Sequence, residues 1–202
     1  MQTVQQLDAA FGEDEAQNAY RSALVDALRD GGTPTTGSLT TAAHIIGEWL
    51  GFLESKEDVD SIVRLAREFP ADTWDWRSLR LSKFVREQRL SGNFDEANRI
   101  AILLVEFYER IDARAPGADV LSEWAQALDE SGRRAEGLTV CEFGWRMAWT
   151  NESLANQHSL MLERDRRWED AIDVCDRWLA LKPKSEQIKK RRRRCAAKAL
   201  TR

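Results

Sequence analysis

From Trp124 onward the pattern of the chain returns after 34 residues, and that recurrence limits the possible folds more than any compositional figure does. Across the step, Trp124 matches His158, Ala125 matches Ser159 and Leu128 matches Leu162. Gly137 matches Ala171, Leu138 matches Ile172, Cys141 matches Cys175 and Trp149 matches Pro183. A period of this length fits a unit of two helices and a turn, which cannot hide its apolar side alone and must stack on copies of itself. The last unit shows the helical component most clearly. In RRWEDAIDVCDRWLALKP, Arg166 to Pro183, the residues Trp168, Ala171, Ile172, Cys175, Trp178, Leu179 and Leu181 stripe one helical face. Asp170, Asp173, Asp176, Arg177 and Lys182 take the other, and Pro183 stops the helix.

A third copy stands 40 residues earlier, in LSKFVREQRLSGNFDEANRIAILL. Leu81 matches Leu121, Phe84 matches Trp124, Gly92 matches Gly132, Ala97 matches Gly137 and Ala101 matches Cys141. The six extra residues are assigned to a connector, Ile111 to Gly117, because its Pro116-Gly117 pair is a loop signal. Ala42–Glu54 and Val59–Phe69 form a further, degenerate helix pair. The expected organisation is an N-terminal helical cap (1–32), a polar linker (33–41) offering Ser38, Thr40 or Thr41 as an N-cap, and a degenerate pair (42–75). Repeats follow at 78–117 (with a long second helix), 118–151 and 152–185, then a basic capping helix at 186–202. The fold class this predicts is all-α, a right-handed α-solenoid of stacked helix-turn-helix repeats with helical caps.

The period, the turn glycines Gly92 and Gly132, the small residues Ala97, Gly137 and Ala171 where helices pack closest, and the LALKP close at Leu179–Pro183 resemble the tetratricopeptide repeat family. Arg166 departs from it by replacing a turn glycine, and Gln88 by standing where an apolar residue is expected. The resemblance covers about residues 78–185 well and 42–70 weakly. It implies that polar residues on the exposed side of the first helices grip a partner's peptide. Mapped by register, these are Ser82, Arg86 and Arg89, then Ser122, Gln126 and Asp129, then Asn156 and Glu163. The family's clamp for a C-terminal carboxylate uses lysines and asparagines that have no matching set here.

Composition removes several classes. No apolar run approaches the roughly 18 residues of a membrane span, the longest being Ile100 to Val105. The N-terminal sequence MQTVQQLDAAFGEDEA carries no signal-peptide pattern, so a cytoplasmic, reducing compartment is the expectation. Three cysteines, Cys141, Cys175 and Cys195, form no CxxC pair and read as small buried residues. His44 and His158 have no metal-ligand spacing, and no phosphate loop or nucleophile motif is present. No catalytic residue, metal or cofactor is therefore expected.

Charge is distributed unevenly. Residues 182–202 hold ten bases and one acid, whereas the preceding 181 hold 20 bases and 33 acids. The run Lys189, Lys190, Arg191, Arg192, Arg193 and Arg194 reads either as a contact for nucleic acid or an acidic partner, or as the polar face of a cap whose Ile188, Cys195, Ala199 and Leu200 dock on the last repeat. Of the eight tryptophans, Trp124, Trp168 and Trp178 sit at core spacings. The pairs Trp74/Trp76 and Trp145/Trp149 read as packing or as an aromatic contact. The function expected is that of a protein-binding scaffold or adaptor. A nucleic-acid-associated adaptor and a small repeat-type secretion chaperone are the alternatives.

Overall fold

The computed structural model describes residues 17–23, 36–68, 75 and 79–201, which form helices and turns with no strand among them. The chain divides into two compact units, residues 1–76 and 77–202.

In the first unit, residues 17–23 are helical, and helices α1 (Thr36–Ser55) and α2 (Val59–Glu68) pack on each other. Ile45, Ile46, Trp49, Leu50 and Leu53 of α1 are buried, as are Ile62, Val63, Leu65 and Ala66 of α2. Tyr20 stacks on Trp49 with ring centroids 5.7 Å apart. The expected linker is corrected here: α1 already begins at Thr36, so Ser38, Thr40 and Thr41 lie inside the helix rather than capping it. Polar β-branched residues disfavour a helix only by tenths of a kcal/mol each, too little to stop one that a following apolar stripe holds in place. The rest of the expected 1–32 cap, and Trp74 and Trp76, lie outside the described residues.

The second unit contains α3 (Ser82–Leu90), α4 (Phe94–Arg110), α5 (Arg114–Glu130), α6 (Arg134–Arg146), α7 (Glu152–Arg164), α8 (Trp168–Leu181) and α9 (Glu186–Ala199). Each helix packs on its neighbours in sequence, and α3 packs on α5, α5 on α7 and α7 on α9. Many matched positions lie in the core, but Trp124, Leu138 and Ile172 are only half-buried, as is Trp168, so of the three tryptophans at core spacings only Trp178 is buried. Leu81, Leu121, Val85, Ala125, Ala97, Ala171, Ala101, Cys141 and Cys175 are all fully buried, and Leu128 and Leu162 nearly so. Burying each large one contributes roughly 1.5–3 kcal/mol.

Helix reversal has a single recurring cause. Six helices, α1 and α3 to α7, end with one residue in the left-handed region: Glu57, Gly92, Asp112, Gly132, Ala148 and Arg166. After each, the next amide reaches back to the carbonyl five positions upstream, as Asn93 does to Gln88 at 2.9 Å and Trp149 to Gly144 at 2.8 Å. The left-handed residue's own amide donates to the carbonyl three positions upstream, as Gly92 does to Arg89 at 3.0 Å, and the two bonds together close open carbonyls of the last turn. Only two of the six use glycine, so the others accept the strain for the bonds it permits. Arg166 does adopt the conformation of the turn glycine it replaces, with φ of 58°.

The connector Ile111–Gly117 is a second correction. The turn ends at Ala113, and Pro116 and Gly117 lie in the first turn of α5. Proline suits that position because the first amides of a helix have no internal acceptor. Gly117 is required for a different reason: a Cβ there would sit 2.5 Å from Cε3 of Trp149, which is itself buried. The helix pairs run 82–110, 114–146 and 152–181, so the expected division between 117 and 118 falls inside α5. In α9, Ile188 and Cys195 are buried as expected, but Leu200 is exposed rather than docked. Replacing Gly117 by Ala should destabilise the chain by about 1–3 kcal/mol through overpacking against the Trp149 ring, read as a lowered urea midpoint; an unchanged midpoint would show that the ring moves aside freely.

Candidate functional site

The first helices carry the residues expected to grip a partner, and the structure ties six of the eight to other side chains of the protein. Arg89 of α3 is buried, with its Nε 3.2 Å and Nη2 3.1 Å from Glu123 Oε2 and its Nη1 3.0 Å from Glu130 Oε1, both acids on α5. Gln126 Nε2 donates to the same Glu130 oxygen at 2.8 Å. Between α5 and α7, the hydroxyls of Ser122 and Ser153 hydrogen bond at 2.6 Å. The buried Asp129 accepts from Arg134 Nε at 2.6 Å, from Arg164, and from Gln157 Nε2 at 3.4 Å. Between α7 and α9, Asn156 Oδ1 accepts from Arg191 Nε at 3.0 Å. Glu163 accepts from Arg191 Nη1 at 3.0 Å and from Arg194.

The helix N-caps extend the same seam. Asn151 caps α7 by accepting from Leu154 N at 2.7 Å while its Nδ2 donates to Asp119 of α5 at 2.6 Å. Ser185, at the N-cap of α9, donates to Glu152 of α7 at 2.6 Å. The reading of Arg89, Ser122 and Asp129 as an open binding row is thus corrected. Residues on one face of stacked helices lie against the next helix, and polar pairs form with its side chains before any ligand arrives. Ser82 is half-buried and Arg86 alone of the eight is exposed.

The basic helix is engaged in the same way. Beyond Arg191 and Arg194, Arg192 pairs with Asp176 of α8, and Lys189 Nζ lies 2.8 Å from Glu186. Lys190 and Arg193 remain exposed. The three thiols are buried, and burial pushes all of them up, Cys175 to about 11. They stay protonated near neutrality and are poor nucleophiles. Trp149 is buried edge-on to Phe143, and Trp145 is half-buried beneath the Arg177 guanidinium, 4.8 Å from its ring centre, so this tryptophan pair is packing.

The second helices α6 and α8 leave a groove of about 520 Å³ between them. Ala135, Leu138, Thr139, Glu142 and Arg146 form the α6 wall, and Arg167, Asp170, Asp173, Val174 and Arg177 the other; His158 and Leu162 of α7 line it too. Spacings of three and four place each set on one helical face. His158 is only 2% exposed; its Nε2 lies 3.3 Å from Glu142 Oε1 and its Nδ1 has no partner. Burial pushes its imidazole down to about 4, with Arg177 and Arg167 acting the same way and Glu142 opposing them. No charge periodicity singled out this wall. The available signal was that Thr139, Glu142 and Arg146 face away from the buried Gly137–Cys141 stripe.

Among the described residues, no three His, Cys, Asp or Glu side chains are grouped to hold a metal ion, and no helix is long and apolar enough to cross a membrane. No family model, curated protein or solved structure matches the chain.

Two outcomes follow from these contacts. Asp129→Asn removes a buried charge from three donors and should cost about 2–4 kcal/mol in chemical denaturation; a loss below about 0.5 kcal/mol would mean the donors are satisfied by water. For His158, the unfolded chain takes up a proton near its ordinary value of 6.5, whereas the folded chain resists until about 4. The unfolded state therefore holds more protons in this window, and stability falls as pH drops through it, by up to about 3 kcal/mol. Urea titrations of the parent and of His158→Phe between pH 7 and 4.5 should show the slope flattened in the variant; parallel slopes would contradict this.

Proposed function

We propose that the chain is a protein-binding scaffold: a right-handed α-solenoid of the tetratricopeptide type, without chemistry of its own, that holds a segment of a partner protein. The register of matched core residues and the packing of α3, α5, α7 and α9 on one another support the solenoid reading. The binding face is the groove between α6 and α8. The observation that carries this choice is the saturation of the first-helix row: Arg89, Asp129, Asn156 and Glu163 already bond across adjacent helices. A partner competing for them would have to break those bonds, whereas the α6–α8 groove is open and lined by both apolar and charged groups. The basic helix supports a nucleic-acid role poorly, because four of its six consecutive cations are paired with acids or an amide.

Photocrosslinking capture from the native host tests the choice of face. Thr139→Tyr fills the groove with neutral bulk from an exposed position, and Arg86→Glu reverses the one exposed charge of the first-helix row. The expected result is that Thr139→Tyr weakens partner capture about tenfold, equivalent to 1.4 kcal/mol, while Arg86→Glu leaves it unchanged. The opposite pattern would return the site to the first helices.

A further inference from the structure

The α6–α8 groove balances in formal charge but not in bonding. Six charged side chains line it: Glu142, Arg146, Arg167, Asp170, Asp173 and Arg177. Five are engaged within it. Arg167 Nε lies 2.6 Å from Asp170, Arg177 Nε lies 3.1 Å from Asp173, and Arg177 Nη2 lies 3.4 Å from Glu142. Glu142 also meets the buried His158 at 3.3 Å. Arg146 is exposed, four residues beyond Glu142 on the same wall, and makes no ion pair among the described residues. Each acid of the groove thus has a basic partner while this guanidinium, which presents five donors in a planar fork, has no acidic one.

The α6 wall of the groove from Ala135 to Arg146 is eleven residue steps, about 16 Å at 1.5 Å per residue.

At the other end the groove turns apolar, where the half-buried Leu138 lies over the buried Leu162 and Val174. Leu138 and Arg146 are eight steps apart on α6, about 12 Å. An extended chain covers that distance in three to four residues at about 3.3 Å each.

We infer that the groove recognises an acidic peptide in which an Asp or Glu, received by Arg146, lies about 12 Å from an aliphatic or aromatic side chain seated over Leu138. This rests on the groove being the partner-binding face. It adds the charge and spacing of the ligand. A basic segment is disfavoured because it would find Asp170, Asp173 and Glu142 already paired and would place its cations beside Arg146.

A displayed library of random twelve-residue peptides, selected on the full chain, tests the inference. Enriched peptides should carry Asp or Glu at one recurring spacing from Leu, Ile, Val or Phe, three or four positions for an extended chain. They should lose about tenfold in affinity on Thr139→Tyr and on Arg146→Glu. Changing their acid to Lys should restore binding to the Arg146→Glu variant. Peptides that need an open groove at Thr139 but carry no acid, or ignore Arg146→Glu, would overturn the ligand inference and leave the groove standing. Peptides indifferent to Thr139→Tyr, or no enrichment at all, would remove the groove as the binding face together with the inference.

Discussion

Carboxylates placed between one first helix and the next are the constraint on which the second unit depends. Glu123 and Glu130 hold the buried Arg89, Asp129 draws in Arg164 and Gln157, and Glu163 receives Arg191 and Arg194. Apolar burial brings the helix pairs together, but it is non-directional. Hydrogen bonds to charged groups are directional and are worth about 1.5–3 kcal/mol when shielded from water. They therefore fix the register at which each pair meets the next. The same bonds explain the uneven charge along the chain. Arg191, Arg192 and Arg194 of α9 sit against acids supplied by α7 and α8, so half of the basic run complements acids of the same unit.

The helical pairs were legible in the sequence because their signal is periodic. Ala97, Gly137 and Ala171 mark the closest approaches, and the turn positions at Gly92, Gly132 and Arg166 share one backbone conformation. Arg166 shows how a motif can change its residue without changing its geometry: the two capping hydrogen bonds outweigh the strain of a left-handed arginine. Pro116-Gly117 misled for a physical reason. The same two residues that signal a loop also suit the first turn of a helix, and only the distant Trp149 reveals why a glycine stands there. Thr36–Thr41 was hidden because weak local preferences yield to the helix that continues beyond them.

The candidate site was less legible than the fold. Register placed the expected residues on the first helices, yet it could not show that six of them bond to other side chains of the protein. That requires knowing that side chains about one repeat apart, such as Glu163 and Arg191, come within 3.0 Å. The α6–α8 groove emerges only once α6 and α8 stand side by side, since its walls are ordinary polar helix faces when each is read alone. His158 illustrates the same limit. Its place opposite Trp124 in the repeat predicted burial, and it is buried, but its contact with Glu142 depends on the arrangement of the helices in space.

The central claim is that the polar row along the first helices is cohesive rather than receptive, and a double-mutant cycle between Glu163 and Arg191 measures it most directly. Both side chains are largely sequestered, at 15% and 12% exposure, so little of their interaction is lost to solvent screening. Denaturation of Glu163→Gln, Arg191→Gln and the double variant should give a coupling of about 1–3 kcal/mol. Losses that simply add, within about 0.5 kcal/mol, would mean that the row does not bind the helices together and is free to receive a partner.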